Sequence, residues 1–346
     1  MLAAKLFGPG QIRLVETGIP EIGDDEILIR TKAAAICGSD LRMIGNGYRG
    51  VDESHPLTLG HEISGIIEQT GALVSDYRKG MHVCVAPNYG CGICDMCVSG
   101  DTHLCAEYKA FGINIDGGFA EYVRVPAKVI RQGNLMVLGP EVSFGEAALL
   151  EPLSCVLNGQ ERLHIQPGDS VLVVGAGPIG LMHALLAGSY GAAKVYMRDL
   201  SETRMRQCEK VNPKISGIYG EDLKKEIMRL TDGRGVDVCI IACPSGKAQA
   251  DSLELMAMNG RILFFGGLPS GNDLVNLPSN LIHYRQLSIS GSTRANVRQY
   301  RMAARLLETG MLELAGMISA EYPLEEFAEA VEYAKSSAGL KTVIKF

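Results

Sequence analysis

The sequence has no uninterrupted apolar run long enough to span a bilayer. Its most apolar stretch, Val171 to Leu186, is broken by Pro178, His183 and three glycines, whereas a spanning helix needs about 20 mostly apolar residues. There is no excess of positive charge: 33 Lys and Arg stand against 39 Asp and Glu, a formal net charge of -6. The two signs are interspersed without a long single-sign block, so the basic footprint of a nucleic-acid protein is missing. Internal repeats and low-complexity tracts are absent too. The apolar stretch at the N-terminus is cut off by Gly8 and Pro9 and is too short for a signal peptide. These absences point to a cytoplasmic protein with neither membrane nor nucleic acid as partner.

What is present suits an ordinary globular chain, with 47% hydrophobic and 21% charged residues over 346 positions. Single cores usually stop growing near ~250–300 residues, so two domains are expected. Up to about residue 150 the chain is rich in glycine and in strand-like runs, such as Glu26-Ile-Leu-Ile-Arg-Thr-Lys, Ile63-Ser-Gly-Ile-Ile-Glu and Met81-His-Val-Cys-Val. Helical periodicity is scarce there, as in a mainly antiparallel, barrel-like region. After Pro167-Gly168-Asp169 the pattern alternates: strand at Val171, helix from Ile179, strand at Lys194, helix from Ser201, strand at Val236, helix over Lys247–Met258, strand at Arg261. Such alternation predicts a parallel sheet covered on both faces. Tyr300–Glu308 and Leu324–Ala334 read as helices and Thr342-Val-Ile-Lys-Phe as a closing strand.

The run Val171-Leu-Val-Val leads into Gly175-Ala-Gly177-Pro178-Ile179-Gly180 and then a helix. Gly175 permits a tight turn, Gly177 lets backbone amides approach a pyrophosphate, and Gly180 lets the helix pack on the strand. The helix N-terminus presents unpaired amides to the phosphates. The next strand ends at Asp199, near the ~20-residue offset of a ribose-binding acid. Its carboxylate favours NAD over NADP, a preference weakened by Arg198 and Arg204. The cofactor-binding set is therefore Gly175, Gly177, Pro178, Ile179, Gly180, Asp199, Leu200 and Arg204.

Four of ten cysteines, Cys91, Cys94, Cys97 and Cys105, fall in one short segment. A single loop with these spacers can fold around one tetrahedral Zn²⁺, and four thiolates leave no open position, so the site is structural. Reduced thiols, a redox pair, an iron–sulfur cluster and a nucleic-acid-binding ribbon are the alternatives. Asp95, Asp101 and Glu107 speak against the last. Three further segments offer zinc-ligand types: Cys37-Gly-Ser39-Asp, Gly60-His61-Glu62-x-x-Gly65 and Glu151-Pro152. Singly, each also fits a packed core position or a surface pair.

Together these segments, with Asp116-Gly-Gly-Phe-Ala-Glu-Tyr, resemble the zinc-containing medium-chain dehydrogenase/reductase family over essentially the whole chain, and most of all its polyol branch. The resemblance implies an α/β fold: a Rossmann doubly wound parallel sheet (153–291) inserted into a GroES-like, mainly β catalytic domain (1–152 and 292–346). It implies two Zn²⁺ per subunit, NAD(H) as cofactor, an active site in the cleft and a homodimer or homotetramer. Cys37, His61 and a carboxylate, Glu62 or Glu151, would hold the catalytic zinc, and Ser39 would begin a proton relay. The implied reaction moves a hydride between a polyol or sugar alcohol and nicotinamide. A threonine-type dehydrogenase and a non-catalytic NAD-binding regulator are the alternatives.

The sequence departs from the pattern at Arg42, where many relatives carry a histidine of the outer relay. Arginine stays protonated and cannot shuttle protons. With Arg49 it would clamp a phosphate or carboxylate, unless both simply sit on a solvated loop. Tyr48 lies beside them as a further pocket candidate. His82 is read as a strand surface residue, and His55, His103, His164, His183 and His283 as structural.

Overall fold

The computed structural model describes all residues from Met1 to Phe346. The chain divides into two compact units, one formed by Met1–Ser154 with Arg294–Phe346 and the other by Cys155–Thr293. No helix is long and apolar enough to cross a membrane.

The first unit is built on strands. Its main sheet runs in the order Leu135–Val137, His82–Val85, Glu62–Thr70, Ile27–Ala35, Lys341–Lys345 and Ile318–Pro323, with Tyr122–Val125 also paired to Ile27–Ala35. All pairings are antiparallel except the last two strands, which run parallel to each other. Ile27, Ile29, Ile63, Ile67, Val83, Val85, Val123 and Val125 fill one apolar cluster of this unit. These β-branched side chains suit a pleated, buried face. A second cluster gathers Leu6, Ile36, Leu59, Phe119, Phe327 and Ile344. The final strand thus enters the sheet beside Ala33–Ala35, about three hundred residues earlier in the chain.

The second unit holds a six-stranded parallel sheet. Numbered by their place in this unit, its strands lie in the order 3-2-1-4-5-6: Ile215–Gly217, Lys194–Arg198, Ser170–Val174, Val236–Ile241, Met256–Phe264 and Ser288–Gly291. This is the dinucleotide-binding order, in which the direction of winding reverses beside the first strand. Val171, Leu172 and Val173 are fully buried, as a strand covered on both faces requires.

The sequence pattern misleads in two places. Lys247–Met258 does not form one helix: Gly246–Ser252 is helical, Leu253–Leu255 makes a 3₁₀ turn, and Met256 already belongs to the strand that runs to Phe264. Met256 pairs with Val236 and is buried, so tertiary pairing overrides the local helical spacing. Periodicity also did not reveal the helices Gly38–Asn46 and Phe144–Ala148 of the first unit, or Leu150–Glu161, which begins in the first unit and ends in the second.

Candidate active site

Strand Ile27–Ala35 ends just before Cys37, which caps helix Gly38–Asn46. The third helical residue, Asp40, turns its carboxylate back, and Oδ2 accepts from the Cys37 N–H at 2.9 Å. This reciprocal cap satisfies an otherwise orphaned donor and fixes the Cys37 backbone. His61 arrives from a different direction. Gly60 holds φ +91°, and a Cβ there would meet the Phe119 ring at 2.9 Å, so only glycine makes the turn that delivers His61. Glu62 then begins the strand Glu62–Thr70.

The ligand atoms of Cys37, His61 and Glu62 lie within 4.8 Å of one another. Glu151, in the first turn of Leu150–Glu161, is buried and stands outside that triad, although its charge acts on Glu62. Ser39 Oγ is 3.4 Å from His61 Nε2. On the other side of the ring, His61 Nδ1 faces Asp40 Oδ1 at 3.5 Å, and neither atom has a hydrogen-bond partner. Burial opposes charge on His61, but the Asp40 carboxylate and the Cys37 sulfur outweigh it and raise the imidazole pKa well above its ordinary value.

The chain buries three carboxylates, Asp40, Glu62 and Glu151, and one ammonium, Lys341. No other lysine or arginine is buried. Lys341 donates to Glu62 Oε1 at 2.7 Å, to Glu62 Oε2 at 2.5 Å and to the Ile36 carbonyl at 3.0 Å. Burial works against its charge, yet Glu62 holds its pKa above the usual lysine range. With His61 neutral, as a metal ligand must be, three buried carboxylates against one buried ammonium is a costly imbalance. Together with a thiol and an imidazole at ligand spacing, the imbalance fits a divalent metal such as zinc. Asp40 and Lys341 were missed by the sequence reading. The interval from Cys37 to Asp40 is that of a capping box and was a usable signal. Lys341 carried none, because its partner is 279 residues away.

In the four-cysteine loop the Cys91 and Cys97 sulfurs are 3.9 Å apart and those of Cys94 and Cys105 3.7 Å. No disulfide forms. Zn–S bonds of ~2.3 Å in a tetrahedron put sulfurs about 3.8 Å apart, so the loop has the dimensions of a four-thiolate zinc site. The Ile93 and Cys94 amides donate to Cys91 Sγ and hold its pKa down at about 6. The loop is fastened to the segment that re-enters this unit. Arg294 donates to the His103 carbonyl at 3.0 Å and stacks 3.9 Å over the Tyr108 ring, and Asn296 Nδ2 donates to Asp101 at 3.1 Å.

In the second unit, Gly175 takes φ +113° at the end of its strand, and helix Pro178–Ser189 begins with Pro178 after Gly177. No side chain caps that helix, leaving its first amides for an anion. A Cβ on Gly180 would sit 1.8 Å from the Gly175 carbonyl oxygen, so the close helix–strand approach demands glycine. Asp199 accepts from the Ala176 N–H at 2.7 Å and the Ser201 N–H at 2.8 Å, which binds the acid to the turn itself. Arg198 is turned onto the Ile218 carbonyl at 3.2 Å. Arg204 is half-buried and Leu200 fully exposed. Arg42, Tyr48 and Arg49 are exposed in the first unit. His82 is half-buried rather than on the surface, its ring 4.1 Å from Phe144.

Residues 23–133 match the family described as alcohol dehydrogenase GroES-like domain, and residues 178–309 the family described as zinc-binding dehydrogenase. Sorbitol dehydrogenase of Bacillus subtilis (strain 168) is 32% identical over 340 residues, covering 96% of this chain and 93% of the relative. L-threonine 3-dehydrogenase of the same organism is 33% identical over 335 residues, covering 96% and 94%. The crystal structure of galactitol-1-phosphate dehydrogenase from Escherichia coli superposes with a TM-score of 0.88 at 26% identity, covering 100% of both chains. The class defined by these matches is the zinc-binding dehydrogenases. The chain belongs to the zinc-containing medium-chain dehydrogenase/reductase family, with its GroES-like and Rossmann parts.

Proposed function

We propose that the protein interconverts a polyol or sugar alcohol and its ketose, with zinc and NAD. The observation that carries this reading is the convergence of Cys37, His61 and Glu62 within 4.8 Å, with Ser39 beside them. Zinc held there would supply Lewis acidity that favours loss of the alcohol proton near neutral pH, and NAD⁺ would supply the hydride acceptor. Cys37, His61 and a carboxylate, Glu62 or Glu151, are the metal-holding residues. Asp40 Oδ1, facing His61 Nδ1 at 3.5 Å, would orient the ring so that Nε2 faces the metal. Ser39, partly exposed, accepts the alcohol proton and passes it toward solvent. Cys91, Cys94, Cys97 and Cys105 hold a second, structural zinc.

The turn Gly175–Gly180 cradles the cofactor pyrophosphate, and Asp199 accepts from the adenosine ribose. A carboxylate fastened by two backbone amides cannot swing away from a 2′-phosphate, which supports NAD over NADP. Arg42, on helix Gly38–Asn46, and Arg49, in the segment after it that also carries Tyr48, are exposed and make no ion pair within the chain, which supports a phosphorylated substrate clamped between them.

The test is NAD⁺ reduction followed by absorbance with hexitols, hexitol phosphates, L-threonine and simple alcohols, repeated with NADP⁺. Turnover of one polyol class with NAD⁺ is the expected result. Turnover of L-threonine alone would replace the polyol reading with the amino-alcohol one, and cofactor binding without turnover of any alcohol would sink both. An Arg42→Ala variant with an unchanged preference between a polyol and its phosphate would remove the clamp.

A further inference from the structure

Lys341 is the one buried ammonium of the chain, and the last strand brings it to the site. Its three donors are all used, two on Glu62 and one on the Ile36 carbonyl. The neighbouring Thr342 carbonyl accepts the Ile36 N–H at 2.9 Å. Both backbone polar groups of Ile36, one residue before Cys37, are thus held by Lys341 and Thr342. The same ammonium grips the carboxylate one residue after His61. A buried ion pair is a poor device for stability alone, since an apolar pair of similar volume often does as well. This pair sits where two ligand-bearing segments meet, which points to a task at the site.

We propose that Lys341 is a positioning residue that keeps Glu62 as its own counter-ion, outside the inner ligand set of the metal, and that sets how tightly the metal is held. The inference rests on the metal reading given above and goes beyond it by assigning Glu62 to Lys341 rather than to the ion. Glu62 has both oxygens committed to an ammonium. The positive charge of Lys341 offsets part of the attraction between the buried anions and the ion, which leaves the ion electrophilic. The C-terminal strand thereby completes a centre whose other members all lie before residue 152.

The experiment uses zinc-loaded full-length protein and follows release of the more labile ion to a chromogenic chelator. Cys37→Ser, which should lose that ion, identifies the phase. Lys341→Met removes a positive charge and frees Glu62, so release should slow by about tenfold or more. Glu62→Gln leaves Lys341 unbalanced, so release should quicken by a similar factor. One unit charge a few ångström from a divalent ion is worth at least that much at an effective dielectric of ~20. The double variant should return toward the parent rate and Lys341→Arg should restore it. In the cobalt-substituted protein, Lys341→Met should show altered visible bands as Glu62 joins the ligand set, a change that loss of strand packing would not produce. If Lys341→Met does not fold, Glu62→Gln and Lys341→Arg carry the test. Rates that move in the same direction in the two single variants, or do not move, would overturn this inference alone. Retention of both ions by Cys37→Ser would overturn the metal reading and this inference with it.

Discussion

Replacing Asp40 by asparagine separates two tasks that one fully buried carboxylate performs. One oxygen accepts from the Cys37 N–H at 2.9 Å, and the other faces His61 Nδ1 at 3.5 Å. Asparagine keeps an acceptor for the amide, so the cap on helix Gly38–Asn46 should survive. It loses the charge that, in the proposed site, would make His61 a better metal ligand and set which ring nitrogen carries the proton. Losing such a supporting carboxylate typically weakens metal binding roughly 10–100-fold, or about 1.4–2.7 kcal/mol. Alanine loses the cap as well and leaves a buried N–H unpaired, adding about 1–3 kcal/mol of destabilisation. Zinc affinity measured by competition with a chelator, alongside urea denaturation of the metal-free chain, reads the two effects separately. Asp40→Asn should shift the first and spare the second, while Asp40→Ala shifts both. Unchanged zinc affinity in Asp40→Asn would refute the orienting role.

Three further outcomes follow from the geometry. Cys97→Ser should cost one zinc per chain while sparing the other, and should lower the melting temperature by loosening the contacts of Asp101 and His103 with Asn296 and Arg294; metal analysis and calorimetry read both. Gly180→Ala places a methyl 1.8 Å from the Gly175 oxygen, so it should destabilise the second unit by about 1–3 kcal/mol and weaken NAD binding, measured by denaturation and by fluorescence titration. His183 is fully buried, and desolvation lowers its pKa to about 3. Between the ordinary value of 6.5 and about 3 the unfolded chain therefore binds a proton that the folded chain does not, and stability should fall by up to about 1.4 kcal/mol per unit as pH drops through that window. Denaturation at stepped pH should show a shallower slope in His183→Leu.

Much of this molecule could be read from its sequence wherever the signal is local. The turn Gly175–Gly180 follows a buried strand and opens a helix, and each step is written in adjacent residues. The four cysteines fall within fifteen positions, close enough for spacing alone to imply one centre. The helix expected over Lys247–Met258 failed because Leu253–Met258 is apolar in a way that suits either a buried helix or a strand. Pairing with Val236 decided it, and Val236 lies outside any local window. Lys341 shows the same limit at the site. A lysine near the end of a strand pattern looks like a solvated residue until folding brings it against Glu62. Conversely, Cys37 looked like core because Ala33–Ile36 before it is core; the capping contact with Asp40 is what turns it from strand end to helix start.

In the proposed function, NAD-linked alcohol oxidation depends on a zinc held at the Cys37–His61 centre. The most direct measurement follows zinc per chain and NAD⁺ reduction together, in the parent and in Cys37→Ser, before and after chelation and zinc return. That dependence requires two zincs and activity in the parent, with activity lost when the labile ion leaves and regained when it returns. It requires one zinc and no activity in Cys37→Ser. Full activity in a Cys37→Ser protein that carries only the four-thiolate zinc would contradict it.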